Sequence, residues 1–213
     1  MKHHLAVVLG ILIFAVGIAN SGESSQRTKR THERQPVLFG FIPGMDYGKA
    51  AKVLENNIER RNWKTASGYA PYGNAFNVNG SEYLNGDKKY PVDEVRLSFL
   101  QRYDDHFLTD IRIYSPVFSD PRKDPSAHKW LNTAVRWISG MVGKPKKQLE
   151  GEYRLPIFMP VKHAEWDAQT YDIIINEHPA SKNKETGEDQ YQIVIYVSSK
   201  RTAKPPTHIA KPE

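Results

Sequence analysis

Three side chains able to ligate a metal, His163, Glu165 and Asp167, fall at alternate positions, and His178 follows in the next strand-like run. A strand has a side-chain period of two, so residues 161–166 read as a strand place all three on one face. Imidazole nitrogens and carboxylate oxygens converging from two adjacent strands are donors that Zn²⁺ or another divalent ion accepts. The chemistry implied is metal-dependent hydrolysis, with His163, Glu165, Asp167 and His178 as the ligand set. The plainer reading is the polar side of a half-solvated sheet. It is preferred because this spacing matches no known ligand motif. Asp104-Asp105-His106 could likewise do acid–base work, but adjacent carboxylates between two strands ordinarily solvate a turn. No Gly-x-Ser-x-Gly, Walker loop, dinucleotide fingerprint or His-Glu-x-x-His occurs, so no cofactor is implied and the common hydrolase, nucleotide and protease readings fall away. There is no cysteine, which excludes thiol catalysis, disulfides and Cys-ligated metals.

Binding chemistry has a separate candidate. Residues 63–91 are rich in Gly, Asn and Tyr and show no strong period. Tyr69, Tyr72 and Tyr83 are its candidate binding residues, because tyrosine in a Gly/Asn-rich loop offers large contact area at low entropic cost. The competing reading is a hairpin, with a short strand near 75–78, that lays its Tyr rings on a sheet.

The elements that must position these residues read as follows. Residues 37–41 form a short strand, and Pro43-Gly44 breaks it. Asp46 opens a helix whose face is Tyr47, Ala50, Ala51, Leu54 and Ile58, with Leu54 and Ile58 in the core. Residues 92–100 and 107–114 alternate across the turn at Asp104-Asp105-His106. One side carries Val95, Leu97, Phe99, Phe107, Ile111 and Ile113, and the other Glu94, Arg96, Ser98, Asp110, Arg112 and Tyr114, which is a hairpin with one wet face. Asp124-Pro125 starts a second helix over 126–142, with Ala127, Leu131, Ala134, Ile138 and Val142 in its stripe and Trp130, Trp137 and Met141 beside it. Gly143 ends that helix and Pro145 keeps it ended. Strands follow at 161–166, 171–176 and 191–197, the last two joined by a polar loop.

At the N-terminus, Lys2 precedes an apolar run over 5–18, and Gly17-Ile18-Ala19 offers small residues to a signal peptidase. The run is shorter than the ~20 residues of a spanning helix, so it reads as a signal peptide cleaved after Ala19 and not as an anchor. The expected organisation is a signal peptide at 1–19, a disordered basic leader at 20–36, one domain at 37–199 and a disordered, basic, Pro-rich tail at 200–213. The protein is then periplasmic or secreted, with no stable membrane insertion after cleavage. The net charge of +6 resides outside the domain: residues 37–199 hold 21 Lys and Arg against 21 Asp and Glu. A neutral core lacks the electrostatic footprint of a nucleic-acid binder. The basic tails leave open electrostatic attachment to anionic surface polymers.

Gly44-Met45-Asp46, the hairpin from Val95 to Ile113, Gly143-Lys144-Pro145 and Trp166 together resemble small secreted modules of the β-lactamase-inhibitory-protein and SmpA/OmlA type. That resemblance implies helices packed on one face of an antiparallel sheet, and binding in place of catalysis. The inhibitory proteins carry disulfides and the SmpA/OmlA proteins a lipidated cysteine, neither of which this chain can form. The sequence thus predicts an exported α+β domain, with two helices on one face of an antiparallel sheet of five to six strands. The predicted function is noncatalytic binding of a protein partner through the wet sheet face and the Tyr-rich loop.

Overall fold

A computed structural model of the chain describes residues 33–61, 63–65, 75–102, 105–120, 123–148 and 161–203. The expected signal peptide, most of the leader and the tail from 204 onward lie outside these residues, as do Tyr69 and Tyr72. Among the described residues, a helix followed by four strands occurs twice. The first half is α1 (Tyr47–Arg61), β1 (Lys64–Thr65), β2 (Ala75–Tyr83), β3 (Pro91–Arg102) and β4 (Asp105–Tyr114). The second is α2 (Pro125–Val142), β5 (Lys147–Gln148), β6 (Val161–Asp167), β7 (Tyr171–Lys182) and β8 (Asp189–Ser199). All neighbouring strands are antiparallel, in the order β1-β2-β3-β4-β8-β7-β6-β5. Two four-strand meanders therefore meet where their last strands, β4 and β8, pair. The α+β class is as expected. The sheet has eight strands instead of five to six, because β1 and β5 are two-residue edge strands too short to show alternation. Such short edges present little unpaired backbone to other chains.

Alternation decides what each strand buries. Val95 and Leu97 on β3, Ile111 and Ile113 on β4, Ile193, Ile195 and Val197 on β8, and Ile173 and Ile175 on β7 form the apolar face. Ala50 and Leu54 of α1, and Ala127, Trp130, Ala134 and Ile138 of α2, belong to the same hydrophobic core. In α2 the predicted boundaries hold for physical reasons. The Asp124 carboxylate accepts the Ser126 N–H at 2.7 Å, satisfying one orphan donor, and Gly143 takes φ 97° as its N–H reaches Ser139 O at 2.9 Å. Trp166 Nε1 then donates to Gly143 O at 2.8 Å, tying the helix end to β6.

Three local expectations are corrected. Residues 37–41 form a tight turn and not a strand: Leu38 and Phe41 exchange two backbone hydrogen bonds of 2.9 Å around Phe39 (φ 53°) and Gly40 (φ 90°). Two successive positive φ values describe a turn that a pattern of apolar residues cannot reveal. The Phe39 ring is held there between Trp63 and Trp137, each at 5.7 Å. Second, α1 buries Asn57 and not Ile58, which is 38% exposed. Asn57 Nδ2 donates to Phe39 O at 2.9 Å, so the helix face is turned by the polar need of the adjacent turn. Third, Asp105 and His106 lie inside β4, paired with Arg102 and Gln101, so they do not form the turn.

The folded unit also extends past 37–199 at both ends. Glu33 accepts hydrogen bonds from the backbone of Gln169 and Thr170 and from the Thr170 hydroxyl, and that hydroxyl above all lowers its pKa. Tyr171 OH donates to Arg34 O at 2.6 Å. Arg201 clamps the entrance to α1. It reaches Gly44 O and Asp46 Oδ1 at 2.8 Å each, pairs with Asp105 and lies 4.3 Å over the Phe107 ring. Gly44 sits at φ +82° with Ser199 Oγ 3.0 Å from where a Cβ would stand, so this clamp admits no side chain there.

Removing Asn57 strands a buried carbonyl, at a cost of about 1–3 kcal/mol. Asn57→Ala is expected to lose that much stability in urea denaturation. Ile58→Ala, at an exposed site, is expected to lose within about 0.5 kcal/mol. The reverse ranking would restore Ile58 to the core.

Candidate functional site

The face of the sheet opposite the apolar one is half-buried, polar and ordered by register. Across β3, β4, β8, β7 and β6 one row reads Glu94, Tyr114, Val194, Asn176, Lys162. The next reads Arg96, Arg112, Tyr196, Ile174, Glu165, and a third Ser98, Asp110, Ser198, Asp172, Asp167. His178 and Gln192 pair one row beyond Asn176 and Val194. The register puts Arg96 directly opposite Arg112, a like-charge pair that costs stability unless compensated. Rings and carboxylates supply that compensation. The Arg96 guanidinium lies 4.5 Å over the Tyr114 ring and its Nη2 donates to Glu94 at 2.8 Å. The Arg112 guanidinium lies 5.0 Å over the Tyr196 ring. Tyr196 OH donates to Asp110 at 2.6 Å, and the same carboxylate accepts from Thr109 at 3.0 Å.

Between these stacks Val194 is only 3% exposed, although it points away from the main core. Its register partners are Tyr114 and Asn176, and Tyr196 follows two residues on along the same strand. The titratable groups around it carry the mark of this setting. The Glu94 hydrogen bond raises the Arg96 pKa. Burial, then the Asp110 hydrogen bond, raises that of Tyr196. Burial, then the nearby charge of Arg112, lowers the pKa of His178 and favours the neutral imidazole. Three buried polar atoms on this face, Arg96 Nε, Arg112 Nε and Asn176 Oδ1, have no hydrogen-bond partner.

The proposed metal ligands do not come together. Register shifts between Lys162 and Ala164, so His163 occupies a bulge and leaves the face of Glu165 and Asp167. It is 8% exposed, with Nε2 3.4 Å from the carboxylate of the buried Glu177. His178 alternates with Glu177 and belongs to the polar face. Glu165 is paired with Lys162 at 3.0 Å, and Asp167 with Lys146 at 2.8 Å and Lys200 at 2.6 Å, which hold its carboxyl well below the usual range. Among the described residues no group of three or more His, Asp and Glu is placed to hold a metal ion. The shared face on which the hydrolase expectation rested is therefore absent. Of the candidate binding tyrosines, Tyr83 is half-buried at the end of β2 opposite Pro91, and Tyr69 and Tyr72 lie outside the described residues.

The residues that do converge, Arg96, Arg112, Tyr114, Tyr196, Asn176 and Val194, had only the alternation of their strands as a signal. A concavity of about 550 Å³ opens between Tyr90, Phe118 and Trp130, with the exposed Lys89 and Lys129 beside it. No helix among the described residues is long and apolar enough to cross a membrane. Comparison with protein-family models, with curated proteins and with solved structures finds no match to this chain.

The dependence of His178 on Arg112 is directly measurable. In Arg112→Gln the charge disappears while burial persists, so the imidazole titration followed by NMR is expected to rise toward, without reaching, the ordinary ~6.5. An unchanged titration would separate the two side chains.

Proposed function

We propose that this chain is an exported, noncatalytic module that binds a protein partner through the polar face of its sheet, with both helices on the opposite face. The observation that carries this reading is the trio of buried, unbonded atoms, Arg96 Nε, Arg112 Nε and Asn176 Oδ1, on one surface. Each such atom costs about 1–3 kcal/mol. An isolated fold gains nothing by gathering three of them on one face, whereas a docking partner that lets these side chains rearrange recovers the loss. The residue types agree, since tyrosine and arginine dominate interface energetics. Stacking between Arg96 and Tyr114, and between Arg112 and Tyr196, also restricts these side chains before contact, which lowers the entropic cost of binding. The apolar run at 5–18 and the lack of cysteine fit export. The resemblance to inhibitory and envelope modules points to binding as well.

Cross-linked capture from the envelope of the producing cell tests the proposal. Truncating a hot-spot side chain costs ~2 kcal/mol, so Tyr196→Ala is expected to weaken capture of the wild-type partner ~30-fold. Lys129→Gln, away from this face, is expected to leave capture intact. Equal capture by Tyr196→Ala and the wild type would overturn the assignment. Loss on deleting residues 204–213 instead would transfer binding to the basic tail.

A further inference from the structure

Both ends of the folded unit are fastened to one turn, the connection between β6 and β7. From the C-terminal side, the Lys200 N–H donates to Thr170 O at 2.9 Å. Its Nζ reaches Ala168 O and Asp167 at 2.6 Å each and Asp172 at 2.9 Å. From the N-terminal side comes Glu33. Its carboxylate accepts the Gln169 N–H at 2.6 Å, the Thr170 N–H at 3.2 Å and the Thr170 hydroxyl at 2.7 Å. The next residue is held by its carbonyl, with Arg34 O accepting from Tyr171 OH at 2.6 Å. Just beyond, Pro36 and Leu38 are buried. The Arg34–Gln35 bond is thus pinned from both sides, while Arg34 itself is exposed.

We propose that Glu33 is a latch that closes the Arg34–Gln35 bond to proteolysis once the chain has folded, so that trimming of the N-terminal segment stops short of Arg34. This step is independent of partner binding by the polar face. The enzyme concerned is an endoprotease that cuts after basic residues, for which Arg27, Lys29, Arg30 and Arg34 are successive targets. It adds water across the amide and breaks the C–N bond, leaving a carboxylate on Arg34 and an amine on Gln35. To do so it must draw the scissile carbonyl oxygen onto its own hydrogen-bond donors. In the folded chain Tyr171 already occupies that oxygen, and Glu33 fastens the residue before it. Cleavage therefore waits on local opening of this strap, and its rate tracks the fraction open. Gln169 lies 136 residues after Glu33, so the bond stays accessible until the β6–β7 turn has formed.

The charge on Glu33 keeps the latch shut at neutral pH. The Thr170 hydroxyl above all, with the two backbone N–H groups and the Lys200 charge, holds the carboxyl below its usual range against a small opposing effect of burial. Around it stand Lys200 after β8, Asp167 on β6 with its partner Lys146, Asp172 and Tyr171 on β7, and Arg34 on the strap itself. A lowered pKa means that the latch is lost only as pH falls through that lowered value.

Limited trypsin digestion of the full chain at neutral pH, with products identified by mass spectrometry, supplies the test. A synthetic peptide of residues 30–38 gives the unlatched rate. The intact chain is expected to be cut after Arg34 about 100-fold more slowly than the peptide. Glu33→Ala removes the acceptor of three hydrogen bonds and is expected to raise that cleavage about 10-fold or more. Tyr171→Phe keeps the ring, removes the donor to Arg34 O and is expected to raise it about threefold or more. Glu55→Ala, at an exposed carboxylate on α1, is expected to change it less than about twofold. Cleavage after Arg112, inside β4, reports global unfolding and is expected to stay constant across the variants. Wild-type cleavage after Arg34 at the peptide rate, or Glu33→Ala cut there no faster than the wild type, overturns the proposal. So does a rise at Arg34 matched by an equal rise at Arg112, which would make Glu33 a support of the whole fold and not of the strap.

Discussion

The pairing of β4 with β8 is the constraint on which the architecture turns. Five register pairs, from Asp110 with Ser198 to Tyr114 with Val194, join two meanders that otherwise share no strand. These contacts are far apart in sequence: Tyr196 reaches Asp110 across 86 residues. Closing so long a loop costs entropy that local hydrogen bonds cannot offset, so both faces of the seam must contribute. On one face Ile111, Ile113, Ile195 and Val197 are fully buried. On the other, the Arg112–Tyr196 stack and the Tyr196–Asp110 hydrogen bond cross the same seam. Ser115 reinforces its end, its hydroxyl accepting the Ile193 N–H at 2.8 Å.

Around that seam the molecule handles charge in two ways. At its rims, carboxylates are met by partly exposed lysines, as at Asp167 and Asp172, where exposure keeps each pair weak. Near the centre, arginines are laid on tyrosine rings with their Nε atoms buried, an arrangement that trades hydrogen bonds for orientation. This second arrangement leaves Arg96 Nε and Arg112 Nε without hydrogen bonds. A third solution lies on the apolar face, where His163 and Glu177 are buried side by side. The same strand, β7, thus carries a buried acid at Glu177 and a half-buried imidazole at His178, whose pKa burial lowers, one residue apart and on opposite faces.

Much of this was legible wherever a local rule set the structure. Asp124-Pro125 and Gly143 delimited α2 because capping chemistry is local. The strands around Val95 and Ile111 were readable because burial on one face imposes period two. The failures share a cause. A bulge moved His163 off the face of Glu165, and no residue type near Lys162 announces it. The turn at Phe39 and Gly40 needs positive φ at a phenylalanine, which the neighbouring Trp63 and Trp137 enforce from a distance. Asn57 is buried for a carbonyl 18 residues away. The polar face was foreseen as a wet surface, and Arg96, Arg112 and Tyr114 were on it. That Arg112 would lie over Tyr196 depended on which strand neighbours β4, and the sequence order of strands does not say.

The repeated succession of one helix and four strands has a further consequence. Arg112 arrives with the fourth strand of the first half, Tyr196 and Val194 with the fourth strand of the second. The polar surface is therefore composite, and neither half owns it. A chain still being made, or clipped before β8, has the guanidinium of Arg112 but neither the Tyr196 ring beneath it nor Val194. Assembly of this polar surface is thereby coupled to the pairing of β8, so a half-finished molecule does not present it.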